Sequence, residues 1–149
     1  MLDRFEQFTT AISALYRDVQ KIERDEMEKR GLRGAFAQYL LAISRHPQGI
    51  TASALCEACD KDKAAVSRII AEMEAKGLLE KENDGVSQYR ARLRLTPAGQ
   101  EAAAYVRERV AIAVELAGYG LSDGDRQAFY RTLERISANL QQICLDGIP

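Results

Sequence analysis

Side chains able to do chemistry gather between Lys61 and Arg94. The cations there are Lys61, Lys63, Arg68, Lys76, Lys81, Arg90, Arg92 and Arg94, and the anions are Asp62, Glu72, Glu74, Glu80, Glu82 and Asp84. Eight against six leaves a local excess of only two, so the arrangement matters more than the sum. Lys63 and Arg68 flank Ala64, Ala65 and Ser67, while Glu72 and Glu74 come later in the run. That set suits a nucleic acid. Cations and hydroxyls bind phosphates, small side chains let a helix come close, and a methyl can contact thymine. Candidate DNA contacts are therefore Lys61, Lys63, Ala64, Ala65, Ser67 and Arg68, with Arg90 and Arg92 downstream. Glu80 and Glu82 can pair with Arg92 and Arg94 across a ribbon, which gives those arginines a structural alternative.

Other reactive residues point elsewhere. Cys56 and Cys59 stand three apart, but a metal site needs four ligands, and the only histidine, His46, lies in no matching motif. The pair falls within a helical run, where small buried hydrophobes are the simpler reading. Cys144 lies near the C-terminus, where a sensing thiol or a disulfide between two copies is an alternative. His46 stands at a helix end before Pro47, where an imidazole complements the helix dipole. No catalytic triad, phosphate-cradling glycine loop or acidic metal cluster is present, so the chain reads as a non-enzyme with no cofactor and no metal.

The elements that must position these groups are legible from periodicity. Asp62 to Leu79 reads as a helix whose apolar residues Val66, Ile69, Ile70 and Met73 share one face. Asp62 suits its N-cap and Gly77 its left-handed C′ position. A short helix, Ser53 to Asp60, precedes it after the N-cap candidate Thr51, giving helix, tight turn, helix. After Gly77 the period changes to two. Asn83-Asp84-Gly85 signals a hairpin turn, and Arg90, Arg92 and Arg94 then alternate with Ala91, Leu93 and Leu95 as in a half-buried strand.

Helices flank this middle. Residues 3–29 carry Phe5, Phe8, Ile12, Leu15, Val19 and Ile22 at helical spacing, over roughly 40 Å. Their charged end, Lys21 to Gly31, reads as a solvated face. A second helix spans about Arg33 to Arg45, with Phe36, Tyr39, Leu40 and Ile43 as its stripe. Thr96-Pro97 opens a helix that continues to about Ala117. Ser122 caps the last helix with Asp125 in a capping-box position. There Phe129, Leu133, Ile136, Leu140 and Ile143 form a heptad-type seam.

Composition sets outer bounds. The 149 residues carry a net charge of −1 and three cysteines, which fits one domain and no disulfide framework. There is no apolar run of the roughly 18 residues that a membrane span needs and no signal peptide, so the expected location is cytoplasmic.

From Ile50 to Gly99 the chain resembles the MarR family of winged helix-turn-helix regulators. The matching residues are the helix-turn-helix ending Glu74-Ala75-Lys76-Gly77-Leu78-Leu79, the ribbon after it, and Leu95-Thr96-Pro97-Ala98-Gly99. The resemblance implies a mainly α fold with a small β-hairpin wing (α+β) and a single domain over 1–149. Residues 50–96 would form the DNA-binding lobe, and residues 1–30 and 97–149 the dimerisation region. It implies a homodimeric repressor on pseudo-palindromic double-stranded DNA, released by a small-molecule effector or by oxidation. Tyr16, Tyr39 and Tyr105 are then candidates to line an effector pocket. The wing departs from the family's Asp-x-Arg signature, since Ser87, Gln88 and Tyr89 precede Arg90. Either Arg90 enters the minor groove after a one-residue shift, or Gln88 and Tyr89 act differently. A winged-helix protein-interaction module and a thiol redox sensor are the alternatives from other classes.

Overall fold

The computed structural model describes residues 1–82 and 90–149. The elements run α1 (Leu2–Lys29), α2 (Phe36–Ser44), α3 (Ala52–Cys59), α4 (Lys63–Ala75), β1 (Leu79–Glu82), β2 (Arg92–Leu95), α5 (Pro97–Ala117) and α6 (Asp123–Asp146). The chain is mainly helical with one two-stranded antiparallel ribbon, the fold class its periodicities predict. The expected Asn83-Asp84-Gly85 turn lies outside the described residues. The structure divides into two compact units, Met1–Ala111 and Ile112–Pro149.

The first unit is built around α2. Phe36, Ala37, Tyr39, Leu40, Leu41, Ala42 and Ile43 are all buried, as expected of a helix apolar on every side. Met27 of α1, Leu55 of α3, the α4 face Val66, Ile69, Ile70 and Met73, and Ala102, Ala103 and Val106 of α5 close on it. From the ribbon, Leu79, Leu93 and Leu95 join the same cluster. The helix begins at Phe36 rather than near Arg33. The residues before it wind as turns, with Phe36 N donating to Arg33 O at 3.0 Å and Ala37 N to Gly34 O at 3.1 Å.

The charged end of α1 departs from expectation, because Glu26 and Met27 are buried there. The Glu26 carboxylate is compensated. Lys29 Nζ donates to it at 2.7 Å, the Tyr105 hydroxyl at 3.0 Å, and Arg109 Nε lies 3.4 Å away. Alternating charges on α1 hid a position two of whose three partners stand on α5.

The ribbon pairs Leu79 with Leu95, Glu80 with Arg94, Lys81 with Leu93 and Glu82 with Arg92. Ile50 adds a bridge to Leu93, through bonds of 3.1 and 2.8 Å. Ala91, Leu93 and Leu95 face inward, while Arg90 and Arg92 are exposed.

The Leu-Thr-x-x-Gly run fastens the ribbon to α5. Thr96 N donates to Leu78 O at 3.1 Å, and Thr96 Oγ1 donates to Gly77 O while accepting from Gly99 N. A Cβ on Gly99 would stand 1.9 Å from Leu78 O, so no larger residue fits. The glycine is required by close approach of backbone rather than by its torsion angles.

In the second unit, Arg126 closes the end of α5. Its Nη2 donates to Gly118 O at 3.0 Å and Glu115 O at 3.3 Å, and its Nη1 pairs with the Glu115 carboxylate at 3.0 Å. Ser122 and Asp125 form the predicted capping box. The two hydrogen bonds from Ser122 hold the Asp125 carboxyl below the usual carboxylate range. No helix among the described residues is long and apolar enough to cross a membrane.

Candidate nucleic-acid interface

The helix pair α3–α4 is defined at every end. Thr51 caps α3, accepting from Ala54 N at 3.2 Å. Asp60 ends it with φ +50°, a left-handed conformation that short polar side chains tolerate. Two residues later Asp62 caps α4, accepting from Ala65 N at 2.7 Å. At the far end Gly77 takes φ +73°. Leu78 N donates to Met73 O and Gly77 N to Glu74 O, the two bonds of a Schellman closure.

With its ends fixed, α4 divides cleanly. Val66, Ile69, Ile70 and Met73 are buried. Lys63, Ala64, Ser67 and Arg68 are exposed, and Ala65 is half-buried. Lys61 is exposed in the turn before α4. The outward set therefore collects two cations, a hydroxyl and small residues on the first turns, as the spacing predicts, with Ala65 partly drawn into packing.

The acidic residues of α4 are not equivalent. Arg33 Nη1 forks onto both Glu72 carboxylate oxygens, with Oε1 at 2.7 Å. That contact joins the turn before α2 to the C-terminal part of α4 and offsets one anion near the outward face. Nothing in the local sequence pattern signals it, because the partners are far apart in the chain.

The ribbon arginines separate by role. Arg94 pairs with Glu82 at 2.9 Å and donates to Gln48 O at 3.2 Å, so it takes the structural alternative. Arg92 lies opposite Glu82 in register yet makes no ion pair among the described residues. Its stem packs against Gly49, whose added Cβ would stand 2.8 Å from Arg92 Cβ. Arg90 is exposed just before β2. Gln88, with Ser87 and Tyr89, lies outside the described residues.

The remaining candidates are dispersed. Cys56 and Cys59 are half-buried and Cys144 is exposed, all as free thiols. Burial pushes the Cys59 thiol up, against the opposing pull of Arg45, which depletes the reactive thiolate. Cys56 lines a cleft of about 400 Å³ between α3, α4 and the ribbon, bordered also by Lys63, Ser67 and Lys81. Tyr16 is exposed on α1, Tyr39 is buried, and Tyr105 is half-buried with its hydroxyl on Glu26 and Arg30 4.9 Å over its ring. Among the described residues no cluster of three or more His, Cys, Asp or Glu could hold a metal ion.

This geometry is a winged helix-turn-helix: a capped second helix with an outward basic face, followed by an arginine-bearing ribbon. Residues 25–87 match the model of the MarR family. A transcriptional regulatory protein for the hcr operon of Thauera aromatica is 29% identical over 97 residues, which are 65% of this chain and 58% of that relative. The chain thus spans less than two thirds of the curated relative's length. The crystal structure of a MarR-family transcriptional regulator from Silicibacter pomeroyi is similar at a TM-score of 0.70 and 26% identity, covering 87% of this chain and 86% of that one. A MarR-family regulator from Listeria monocytogenes, crystallised with 26mer DNA, is similar at a TM-score of 0.75 and 20% identity, with 95% of each chain covered. The middle of the sequence and the fold of the whole chain point the same way, and the chain is similar to MarR-family winged helices.

Proposed function

We propose that the protein is a homodimeric transcriptional repressor. It would lay α4 into the major groove of each half of a pseudo-palindromic operator. The observation that carries this is the division of α4: four buried apolar residues behind, and Lys63, Ala64, Ser67 and Arg68 exposed in front. A helix held this way presents charge to phosphates and small side chains to base edges. Lys61 and Ala65 border that face, and Arg92, Arg90 and Gln88 would serve the wing. The Listeria relative, captured with DNA, supports the same reading.

Apolar surface supports the dimer. On α1, Leu2, Phe5, Phe8, Ile12 and Leu15 are exposed, and on α6 so are Phe129, Tyr130, Leu140 and Ile143. Rows of this kind are costly in water unless a partner covers them. Residues 1–30 and 97–149 would supply that interface. A small effector bound in the cleft beside Lys63 and Ser67 would oppose DNA at the reading face itself, which gives release a direct route.

The test is a mobility shift with DNA from upstream of the protein's own coding sequence, across a salt series, with light scattering alongside. A dimer whose affinity falls steeply with salt is expected, since counterions are released from each neutralised phosphate. A monomer without DNA binding at low salt would sink the proposal.

A further inference from the structure

A second cavity lies away from the reading face. It measures about 500 Å³ and is bounded by the end of α2, the base of the ribbon and the first turns of α5. Its charged walls are Arg94, Arg107 and Glu80, and His46, Ser44 and Gln100 add polar groups. Two guanidiniums therefore face one carboxylate.

Neither guanidinium is saturated. Among the described residues the contacts of Arg94, to Glu82 and to Gln48 O, are both made by Nη2. Its Nη1 makes no contact among the described residues, and its Nε is buried without a hydrogen-bond partner there, out of reach of a ligand. Arg107 donates Nη2 to Ser44 Oγ at 2.6 Å and has no ion-pair partner among the described residues. His46 Nδ1 lies 3.1 Å from Ala42 O. A carbonyl only accepts, so Nδ1 is the donor there and Nε2 is left for another contact. An arginine fork matches the planar or tetrahedral oxygens of an oxyanion. Two guanidiniums with spare donors around one cavity, with a serine and a glutamine also in its wall, select for a small, multiply charged anion.

We propose that this cavity is a binding site for a small oxyanion of the phosphate class, free or carried on a small metabolite. The anion is held between Arg94 of the ribbon and Arg107 of α5. It is distinct from the DNA contacts on α4 and would tie the ribbon base to α5.

The chain's single histidine makes the test direct, because proton NMR shows one imidazole to follow. Inorganic pyrophosphate is titrated into the intact protein at constant ionic strength, with chloride as the control. A saturable shift of the His46 resonance with pyrophosphate, and none with chloride, is expected. Arg107→Gln should weaken binding about tenfold, the worth of a lost charge-assisted contact. Glu80→Gln should tighten it by about two- to fivefold through relief of repulsion, and a gain in affinity cannot come from misfolding. A non-saturable shift, or unchanged affinity in both variants, overturns the site. A third readout separates this anion from the DNA backbone. In anion-free buffer, Arg107→Gln should leave DNA affinity unchanged, and weakened DNA binding there would assign the arginine to DNA and end the proposal.

Discussion

Arginine positions that look alike in the sequence differ in what they are free to do. Arg94 is held at the ribbon base by its Nη2 contacts to Glu82 and Gln48, whereas Arg68 projects from the outward face of α4. Replacing Arg68 with alanine should reduce DNA affinity and lower the slope of log K against log salt by about one. Its folding free energy should stay within about 0.5 kcal/mol of the parent. Mobility shifts across a salt series and urea melts would show both. Glu26 gives a second prediction at this scale. Its carboxyl is held below the ordinary value of 4.5, first by the hydrogen bond from Lys29 and then by Tyr105, against the opposing effect of burial. A depressed folded-state pKa means that the unfolded chain takes up the proton first as pH falls. The stability from this carboxylate is therefore present above 4.5 and is lost as pH drops through the lower folded value. Glu26→Gln should be less stable than the parent near pH 7, and the gap should close as pH falls through the depressed folded-state value. A gap that stays constant in urea melts across that range would show that charge is not what the network uses.

At the scale of elements, caps and junctions decide more than propensity does. Asp62 satisfies a first-turn N–H of α4, so Asp62→Ala should cost about 1 kcal/mol of stability. Because the cap fixes the turn that presents Lys63 and Arg68, DNA affinity should fall as well. Gly99→Ala is the harsher change, since its methyl would meet a backbone oxygen that is itself bonded to Thr96. Overpacking of this kind costs about 1–3 kcal/mol or more, and chemical denaturation should show it with DNA-facing residues untouched. These elements also show why the sequence was informative only in part. Asp62, Gly77, Thr51 and the Ser122–Asp125 box announce themselves, because caps are local and act within one turn. The alternation of Ala91, Leu93 and Leu95 was equally plain, as burial on a ribbon follows a period of two. The Arg33–Glu72 and Glu26–Tyr105 contacts were not legible. Each joins positions distant in the chain, and a charge pattern on one helix cannot name a partner on another. The outward residues of α4 were visible as types and spacing, while the separate duties of Arg92 and Arg94 needed the register of the ribbon.

For the whole molecule, the proposal turns on assembly. A single winged helix reads one half-site. Two copies joined through their terminal helices would place two α4 helices about one DNA turn apart, roughly 34–36 Å. The second half-site then binds at high effective concentration, which raises avidity by about 10²–10⁴ over one lobe alone. The exposed stripe of α1 makes this testable without touching the reading face. Ile12 and Leu15 are exposed there, so a glutamate at both positions should leave the core of the first unit intact while placing charge in the proposed interface. The Ile12→Glu, Leu15→Glu variant should scatter light as a monomer, and its melting temperature should lose the concentration dependence of an assembled protein. DNA affinity should fall towards that of a single lobe. If the variant stays dimeric with full affinity, the α1 stripe is not the joint. An operator lengthened by about five base pairs between half-sites gives the complementary measurement, because half a turn moves the second groove to the far side of the duplex. The parent dimer should lose its avidity on that DNA, and the monomeric variant should be indifferent to the insertion.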